Sequence, residues 1–169
     1  MTDAPNDVLA QLADKQAITE QIHRYCRSVD RLDVPLGHAV FHEDATADYG
    51  PTGYRGTGRG AIDWICEAHR GLLAHSHQVT NVNIVLDADR AGSEAYVTAT
   101  LRMERAGALM HMEIWARYCD RWSRREGAWR IDHRDTVIDY DSIREVTPMH
   151  RHQWARRDRE DPSYKALGA

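Results

Sequence analysis

One carboxylate near the end of an N-terminal helical segment, Asp30, stands where structural needs alone would not place an acid. The segment from Ile18 to Val29 carries apolar side chains at the i, i+4, i+7, i+8 and i+11 spacing of one buried helix face. Asp30 lies at the edge of that face, in the last turn, where the carbonyl ends of the helix dipole disfavour a negative charge. A carboxylate at a half-buried helix end needs a cationic or hydrogen-bonding partner, and such a pair can work as a general base. The alternative is a solvated acid at the helix end.

A second group of polar side chains opens a strand-like run at residues 75–86. In an unbroken strand, alternate residues share a face, and one face would hold His75, His77, Val79, Asn81 and Asn83. Two histidines and two asparagines are poorly explained as hydrophobic core. The pattern is typical of a strand that passes from solvent into a polar-lined pocket, and a plain solvent face is the alternative.

The last strand-like run, residues 129–140, offers two sets of side chains, one of which must face inward. The two sets are Ile131, His133 and Asp135 on one face and Arg130, Asp132 and Arg134 on the other. The run before it supplies aliphatic and methionine side chains such as Met112 and Ile114. A pocket of this composition with a few acids, histidines and tyrosines suits a hydrophobic small molecule that bears one or two oxygens.

Metal and covalent chemistry are less well supported by the sequence. His75 and His77 could supply two metal ligands, but no further HxH or HExxH pattern supplies a third. No GxSxG nucleophile elbow occurs. We therefore predict a site that uses neither a metal nor an organic cofactor.

The elements that hold the candidate site residues are predicted to be helices followed by a sheet. The apolar period predicts helices near residues 7–33, 36–41 and 58–73 and a short strand near residues 45–49. From residue 75 the period becomes 2, and four long strand-like runs follow at residues 75–86, 93–103, 109–123 and 129–140. Short connections that contain glycine favour antiparallel hairpins. We therefore expect an α+β fold whose long strands curl around the helices as a concave, partly closed sheet.

Composition limits the classes of partner. The chain has 169 residues, a net charge of −4 and a pI of about 6.2, with basic and acidic residues interspersed, so we expect one domain and no nucleic-acid partner. No apolar run approaches the roughly 20 residues of a membrane span, and the N-terminus lacks signal-peptide features. A cytoplasmic protein with no membrane partner is expected, and its three widely spaced cysteines predict reduced thiols.

Several motifs together resemble a known family. They are Tyr-x4-Asp at the helix end (Tyr25, Asp30), FHEDA (41–45), YxGxxxGAI (54–62), His-x3-Asn (His77, Asn81) and GAWRI (127–131). Over about residues 7–141 the chain resembles the SnoaL-like group of the nuclear transport factor 2-like (NTF2-like) superfamily, which includes scytalone dehydratase, hexachlorocyclohexane dehydrochlorinase and bile-acid 7α-dehydratase. The resemblance implies a cone-shaped, cystatin-like α+β barrel, in which a curved antiparallel sheet wraps around three N-terminal helices and a deep apolar cavity. Residues 1–141 would form the domain, and residues 142–169 would be its C-terminal extension.

The resemblance also implies roles for individual residues. In the dehydratase and dehydrochlorinase members, an Asp at the end of the first helix pairs with a His that removes a proton from the substrate, and the matching residues are Asp30 and His77. Tyr25 matches a tyrosine of the bile-acid enzyme and is a candidate donor to a substrate oxygen. Asp135 aligns with an arginine on the last strand of two members, with Arg134 on the opposite face, so a different substrate is expected.

We therefore predict a cofactor-independent lyase or isomerase, dehydratase-like, that uses His77 and Asp30 for general base catalysis in the cavity. The expected substrate is a hydrophobic small molecule of steroid, terpenoid, polyketide or aromatic type. Five further residues are expected to bind it: Asn81, Met112, Ile114, His133 and Asp135. Large side chains expected on the outer face of the sheet predict a homodimer or homotrimer. Because the superfamily also contains members that only bind ligands, a non-catalytic binding or sensing protein is the alternative.

Overall fold

A computed structural model describes residues 5–150 and 154–168, with side chains from residue 7 onward. Its elements, in chain order, are α1 (Pro5–Arg31), α2 (Val34–His38), β1 (Phe41–Asp48), β2 (Arg55–Thr57), α3 (Gly58–Arg70), β3 (Ala74–Asp87), β4 (Arg90–Arg105), β5 (Ala108–Arg125), β6 (Ala128–Glu145) and α4 (Pro162–Leu167). The strands form one curved sheet in the order β2-β1-β6-β5-β4-β3. The predicted α+β architecture is therefore confirmed.

Helix α1 supplies the largest share of the helical side of the core. The predicted stripe is sealed, with exposures of 6% or less for Ile18, Ile22, Tyr25, Cys26 and Val29. All three cysteines of the chain are free. Among the helices of the described ranges, none is long and apolar enough to cross a membrane. The amphipathic spacing thus explains why α1 packs along the concave side of the sheet.

The junction between α1 and α2 differs from the prediction. α1 ends at Arg31 because Leu32 takes a left-handed φ of 54° and the Asp33 N–H donates to the Ser28 carbonyl at 2.8 Å. The Asp33 carboxylate then accepts from the Leu36 N–H at 3.2 Å and caps α2. As a result α2 begins and ends before the predicted 36–41, and the chain enters β1 earlier.

Helix α3 begins where it was predicted and ends three residues earlier. The Thr57 hydroxyl accepts from the Gly60 N–H at 3.1 Å and caps the first turn. The helix stops at Arg70, because the Leu73 N–H already pairs with the Arg102 carbonyl at 2.8 Å at the start of the sheet. The buried face of α3, which includes Ile62 and Ile65, packs against the sheet.

The four long strands pair antiparallel in sequence order. Two of their hairpins turn on residue pairs with positive φ, Ala106–Gly107 at 52° and 80° and Glu126–Gly127 at 54° and 77°, as type I′ turns require. β1 joins the sheet by a parallel pairing with β6. That pairing was not predicted, because a parallel neighbour is reached through a long connection that leaves no local sequence signal.

Three irregularities in the long strands decide which side chains face inward. The register shifts between Thr80 and Asn83 in β3, and twice along β6 opposite Trp115–Ala116 and Arg121–Trp122 of β5. Each inserted residue reverses the alternation of faces that follows it and bends the strand. The alternation assumed for an unbroken β3 is therefore wrong beyond residue 80, since Asn81 and Asn83 are exposed.

The C-terminal segment returns to the first helix. Arg27 donates to the Ser163 hydroxyl of α4 at 3.0 Å, and the Tyr164 hydroxyl donates to the Asp33 carboxylate at 3.0 Å. β6 itself runs to residue 145, so the expected boundary after residue 141 falls inside a strand. The extension begins as sheet and ends as a short helix on α1.

Candidate functional site

The end of α1 meets the beginning of β3, and there Asp30 contacts His77 twice. The His77 Nδ1–H donates to Asp30 Oδ1 at 2.7 Å, and the His77 backbone N–H donates to Oδ2 at 3.1 Å. The side chain of His77 is 4% exposed and that of Asp30 is 16% exposed. Because Nδ1 is held as the donor, Nε2 is the ring nitrogen left free to accept a proton.

A second histidine fastens β3 to the same helix end. His75 Nε2–H donates at 2.9 Å to the carbonyl of Val29 in the last turn of α1, which also accepts from the Leu32 N–H at 3.2 Å. Burial lowers the pKa of His75, so its ring is neutral near pH 7. The helix end that it contacts thus explains the polar start of β3 at His75 and His77, whereas Asn81 and Asn83 beyond the bulge do face solvent.

A third histidine comes from α3 and lies beside the other two. The ring of His69 is 5.8 Å from that of His77, nearly parallel at 24°, and 4.6 Å from that of His75, measured between centroids. The residue is 8% exposed. Burial, reinforced by the neighbouring His75 and His77, lowers the pKa of His69 to about 3. His69 is therefore a neutral imidazole in the working range of pH.

His77 and His69 open onto a cavity of about 270 Å³ between α3 and the concave side of the sheet. Most of its wall is aliphatic or aromatic, and the polar side chains are few. The lining residues are Tyr49, Thr52, Gly53, Trp64, Ile65, Ala68, His69, His77, Val97, Ala99, Leu101, Ile114, Ala116, Tyr118, Thr136 and Ile138. Such a wall suits a mainly apolar ligand with a small number of polar groups.

A pair of tyrosines stands behind another part of this wall. The hydroxyls of Tyr25 and Tyr49 are 2.5 Å apart, and either one can be the donor. Burial is the main cause that raises the pKa of both phenols, so both stay protonated. Tyr49 lines the cavity and Tyr25 does not. Of these two tyrosines, Tyr49 is therefore the one placed to contact a ligand, with Tyr25 as its hydrogen-bonding support.

An arginine–aspartate pair lies in the core next to the tyrosines. The guanidinium of Arg134 donates twice to Asp120, at 2.7 Å each, and both side chains are fully buried. The same guanidinium is 4.0 Å from the ring centroids of Tyr25 and Tyr118. Burial alone would lower the pKa of Arg134, but the Asp120 charge more than offsets it, so the pKa is raised and the group stays cationic.

This pair corrects the expectation for the last strand. Because the register of β6 shifts between Ile131 and His133, both Ile131 and Arg134 point into the core. Asp135 points away and is half-exposed. The positive charge on the last strand therefore lies inside the fold, and Asp135 does not replace it there.

Of the five further residues predicted to bind the substrate, only Ile114 lines the cavity. Met112 lies on the same face of β5, one pair further along the sheet, and Asn81 is exposed at the β3 bulge. His133 and Asp135 pair with each other at 3.1 Å on the outer side of β6. The strand bulges in β3 and β6 change which side chains share a face, so the simple alternation used to group these residues does not hold there.

Sequence reasoning did not assign three residues of this region to the site, and it left open whether a fourth, Arg134, faces inward. His69 lies in the predicted helix 58–73, where a lone buried histidine carries no signal of a site. Tyr49 and Thr136 follow plain strand alternation, and Arg134 was hidden by the bulge. A helical face that buries a histidine opposite a strand with two more was the one usable signal.

Another groove, more open and larger at about 870 Å³, lies between α1 and α4, away from Asp30 and His77. Charged side chains such as Glu20, Arg24 and Arg159 line much of it. Apolar side chains such as Leu36 and Leu167 line the rest. Within residues 5–150 and 154–168, no group of three or more His, Cys, Asp or Glu side chains is arranged to hold a metal. The expectation of a metal-free site stays a prediction.

Comparison with known proteins places the chain in a family. Similar structures include a proposed scytalone dehydratase from Novosphingobium aromaticivorans (23% identity, TM-score 0.69, covering 85% of this chain and 97% of that one). Others are a hexachlorocyclohexane dehydrochlorinase from Novosphingobium barchaimii (20%, 0.71, 86% and 98%) and the function-unknown protein Rv3472 from Mycobacterium tuberculosis (25%, 0.66, 80% and 76%). No curated protein sequence matches at a significant level. The SnoaL-like domain family matches residues 10–135, so the chain belongs to that family, as its motifs predicted.

Proposed function

We propose that this protein is a cofactor-independent lyase or isomerase that removes a proton from a carbon of a hydrophobic small molecule. The observation that carries the proposal is the Asp30–His77 pair, joined by two hydrogen bonds, at the wall of an apolar cavity. In a pair on the protein surface, water would compete for the hydrogen bonds of both side chains. The side chain of His77 is instead nearly sealed from solvent. General base catalysis favours such a site, because the ring is already oriented and the wall excludes water.

Asp30 has two roles in this proposal. By accepting from Nδ1–H it fixes the tautomer, so Nε2 presents its lone pair to the substrate. When Nε2 takes up the proton, the carboxylate stabilises the imidazolium that forms. The second contact, from the His77 backbone N–H, holds the carboxylate itself in place.

The carbanion that proton removal leaves behind needs a group to stabilise it. Tyr49 is a neutral donor at the cavity wall, and Tyr25 supports it from behind. We assign to Tyr49 the hydrogen bond to a carbonyl or developing enolate oxygen, the role expected of Tyr25 from the sequence. The Arg134 guanidinium, held by Asp120 beside Tyr25, adds a fixed positive charge behind that donor.

The apolar walls favour a hydrophobic substrate, and the related structures favour eliminations. Two of the similar proteins are named for a dehydratase and a dehydrochlorinase, which both expel a group after a proton is removed. Family membership supports the same general chemistry here. An elimination or a proton shift within this pocket can be driven by positioned acid and base groups alone.

The test is a screen of hydroxylated and ketone-bearing aromatic, terpenoid and steroid compounds for a change in ultraviolet absorbance that reports a new double bond. We expect turnover of at least one compound, and we expect it to persist after treatment with a chelator. Compounds that bind in the cavity without any turnover would favour the alternative of a ligand-binding or sensing protein. Turnover that the chelator abolishes would contradict the dyad mechanism.

A further inference from the structure

The ring of His69 lines the cavity without the hydrogen bonds that a buried imidazole needs. Its Nδ1 is sealed from both solvent and the cavity and has no partner in the described part of the chain, so Nε2 is the ring nitrogen left for a group in the cavity. The residue is 8% exposed, and among the described residues its ring makes no hydrogen bond, whereas its backbone carbonyl accepts from the Leu72 N–H at 3.1 Å and from Arg157 at 2.8 Å. Buried polar groups in native proteins are nearly always paired, so a missing partner at a cavity wall indicates a ligand group.

The groups around His69 explain why the protein does not supply that partner. Towards the ring, β3 presents His77, whose Nδ1 is committed to Asp30, and His75, whose Nε2 is committed to the Val29 carbonyl and whose buried Nδ1 makes no hydrogen bond to His69 or to any other described residue. The C-terminal segment contributes Arg157, which contacts only the backbone. The other polar residues of the cavity wall are Tyr49, Thr52, Tyr118 and Thr136, and none of them hydrogen-bonds the ring. A ligand in the cavity can therefore supply the missing partner.

We infer that His69 is a specificity-determining residue that binds a neutral hydroxyl group of the substrate. A hydroxyl can both donate and accept, so it can pair with Nε2 of a neutral imidazole whichever tautomer is present. A carboxylate is disfavoured, because an uncharged ring provides no counter-charge in this apolar setting. The inference rests on the proposed function, since it names a second polar feature of the same ligand.

Geometry limits where that hydroxyl lies on the ligand. The His69 and His77 rings are nearly parallel with centroids 5.8 Å apart, so a group bound to His69 lies close to the carbon that faces His77. A cavity of about 270 Å³ is larger than the roughly 150 Å³ that holds one benzene ring. The enclosed part of the ligand is therefore about two fused rings in size, with an oxygen near each of two polar positions, Tyr49 and His69.

The test measures binding, so that it stands apart from turnover. Isothermal titration calorimetry would compare 1-tetralone with its 5-, 6- and 7-hydroxy derivatives, which differ by one phenolic hydroxyl and cannot lose water. We expect the wild type to bind at least one derivative about tenfold more tightly than 1-tetralone, the value of one good hydrogen bond. His69→Phe should abolish that preference, and His69→Gln, which keeps a donor and an acceptor, should retain part of it. His23→Phe, at an exposed site on α1, is the matched control.

The preference should also be the same at pH 6 and pH 8, because a neutral His69 does not titrate between them. An unchanged preference in His69→Phe, or a wild type that binds no hydroxy derivative better than 1-tetralone, would overturn the inference. A lack of turnover in the wild type would count against the proposed function and leave this binding result readable. Turnover without a hydroxyl preference would count against the role of His69 alone.

Discussion

Replacing Asp30 with Asn tests whether a charged acceptor, and not only a side chain of that shape, makes His77 a base. The carboxylate accepts from two donors of His77, and an amide has only one oxygen. If the amide oxygen stays on Nδ1–H, its NH₂ faces the backbone N–H, donor against donor. If the amide turns, its NH₂ donates to Nδ1 and the proton moves to Nε2, where it blocks the base.

The expected loss follows from the charge as well. An ion pair at about 4 Å with an effective dielectric constant near 20 is worth roughly 4 kcal/mol, or about 10³-fold in rate. With the tautomer effect added, we expect kcat of Asp30→Asn to fall by about 10³ to 10⁴, as in other His–carboxylate pairs. The mismatched contact should also lower the free energy of unfolding by about 1–3 kcal/mol.

The assay is steady-state kinetics on a compound identified by the screen, with thermal unfolding measured on the same samples. Asp135→Asn is the matched control, because it makes the same change in an Asp–His pair on the outer side of the sheet. That variant should keep the wild-type kcat. A folded Asp30→Asn protein with kcat within about tenfold of wild type would refute the proposed role of the carboxylate.

Other parts of the site lead to further predictions. Tyr49→Phe should lower kcat by about 10² to 10³, as loss of an oxyanion donor does. Tyr25→Phe should lower kcat less, because Tyr25 acts through Tyr49. Equal losses of kcat in the two variants would contradict that order. Arg134→Met should destabilise the fold by about 3–5 kcal/mol in denaturant unfolding, because Asp120 is left charged and unpaired. Adding Asp120→Leu to that variant should restore most of the lost stability. A double variant with no recovery of stability would count against this explanation. The pKa of His69 is lowered to about 3 from 6.5, so its stabilising effect is present above pH 6.5 and is lost as the pH falls towards 3. Between pH 7 and pH 5 this should cost about 2 kcal/mol of unfolding free energy, and His69→Phe should remove that part of the dependence; an unchanged pH dependence in the variant would contradict the assignment. The exposed aromatic and aliphatic side chains on the sheet predict a homodimer or homotrimer, and light scattering that shows a monomer at micromolar concentration would contradict this.

The parts of the fold that could be predicted are those in which apolar side chains recur at a helical or strand period over many residues. The stripe from Ile18 to Val29 and the inner face of α3 follow the helical period, and the four long strands follow the period of 2. The pairing of Asp30 with His77 was also expected, although only through the resemblance to the family. Neither spacing nor composition alone brings a helix end and a strand together.

The parts of the fold and of the site that could not be predicted depend on single residues that interrupt the helical or strand period. One inserted residue near Asn81 turns the second half of β3 over, and another near Asp132 brings Arg134 inside and leaves Asp135 outside. Bulges have no strong sequence signature, yet each reverses every later side chain of the strand. The early end of α1 has the same origin, because it depends on the left-handed φ of Leu32, a residue type that seldom takes it.

The central claim is that His77 is the base, and kcat of His77→Ala tests it most directly. The comparison is with His133→Ala, which removes a histidine from the outer side of β6, on the same compound and at saturating concentration. We expect His77→Ala to lose about 10² to 10⁴ in kcat while its dissociation constant for the compound changes little, and His133→Ala to match the wild type. A His77→Ala protein that turns over the compound at the wild-type rate would contradict the account.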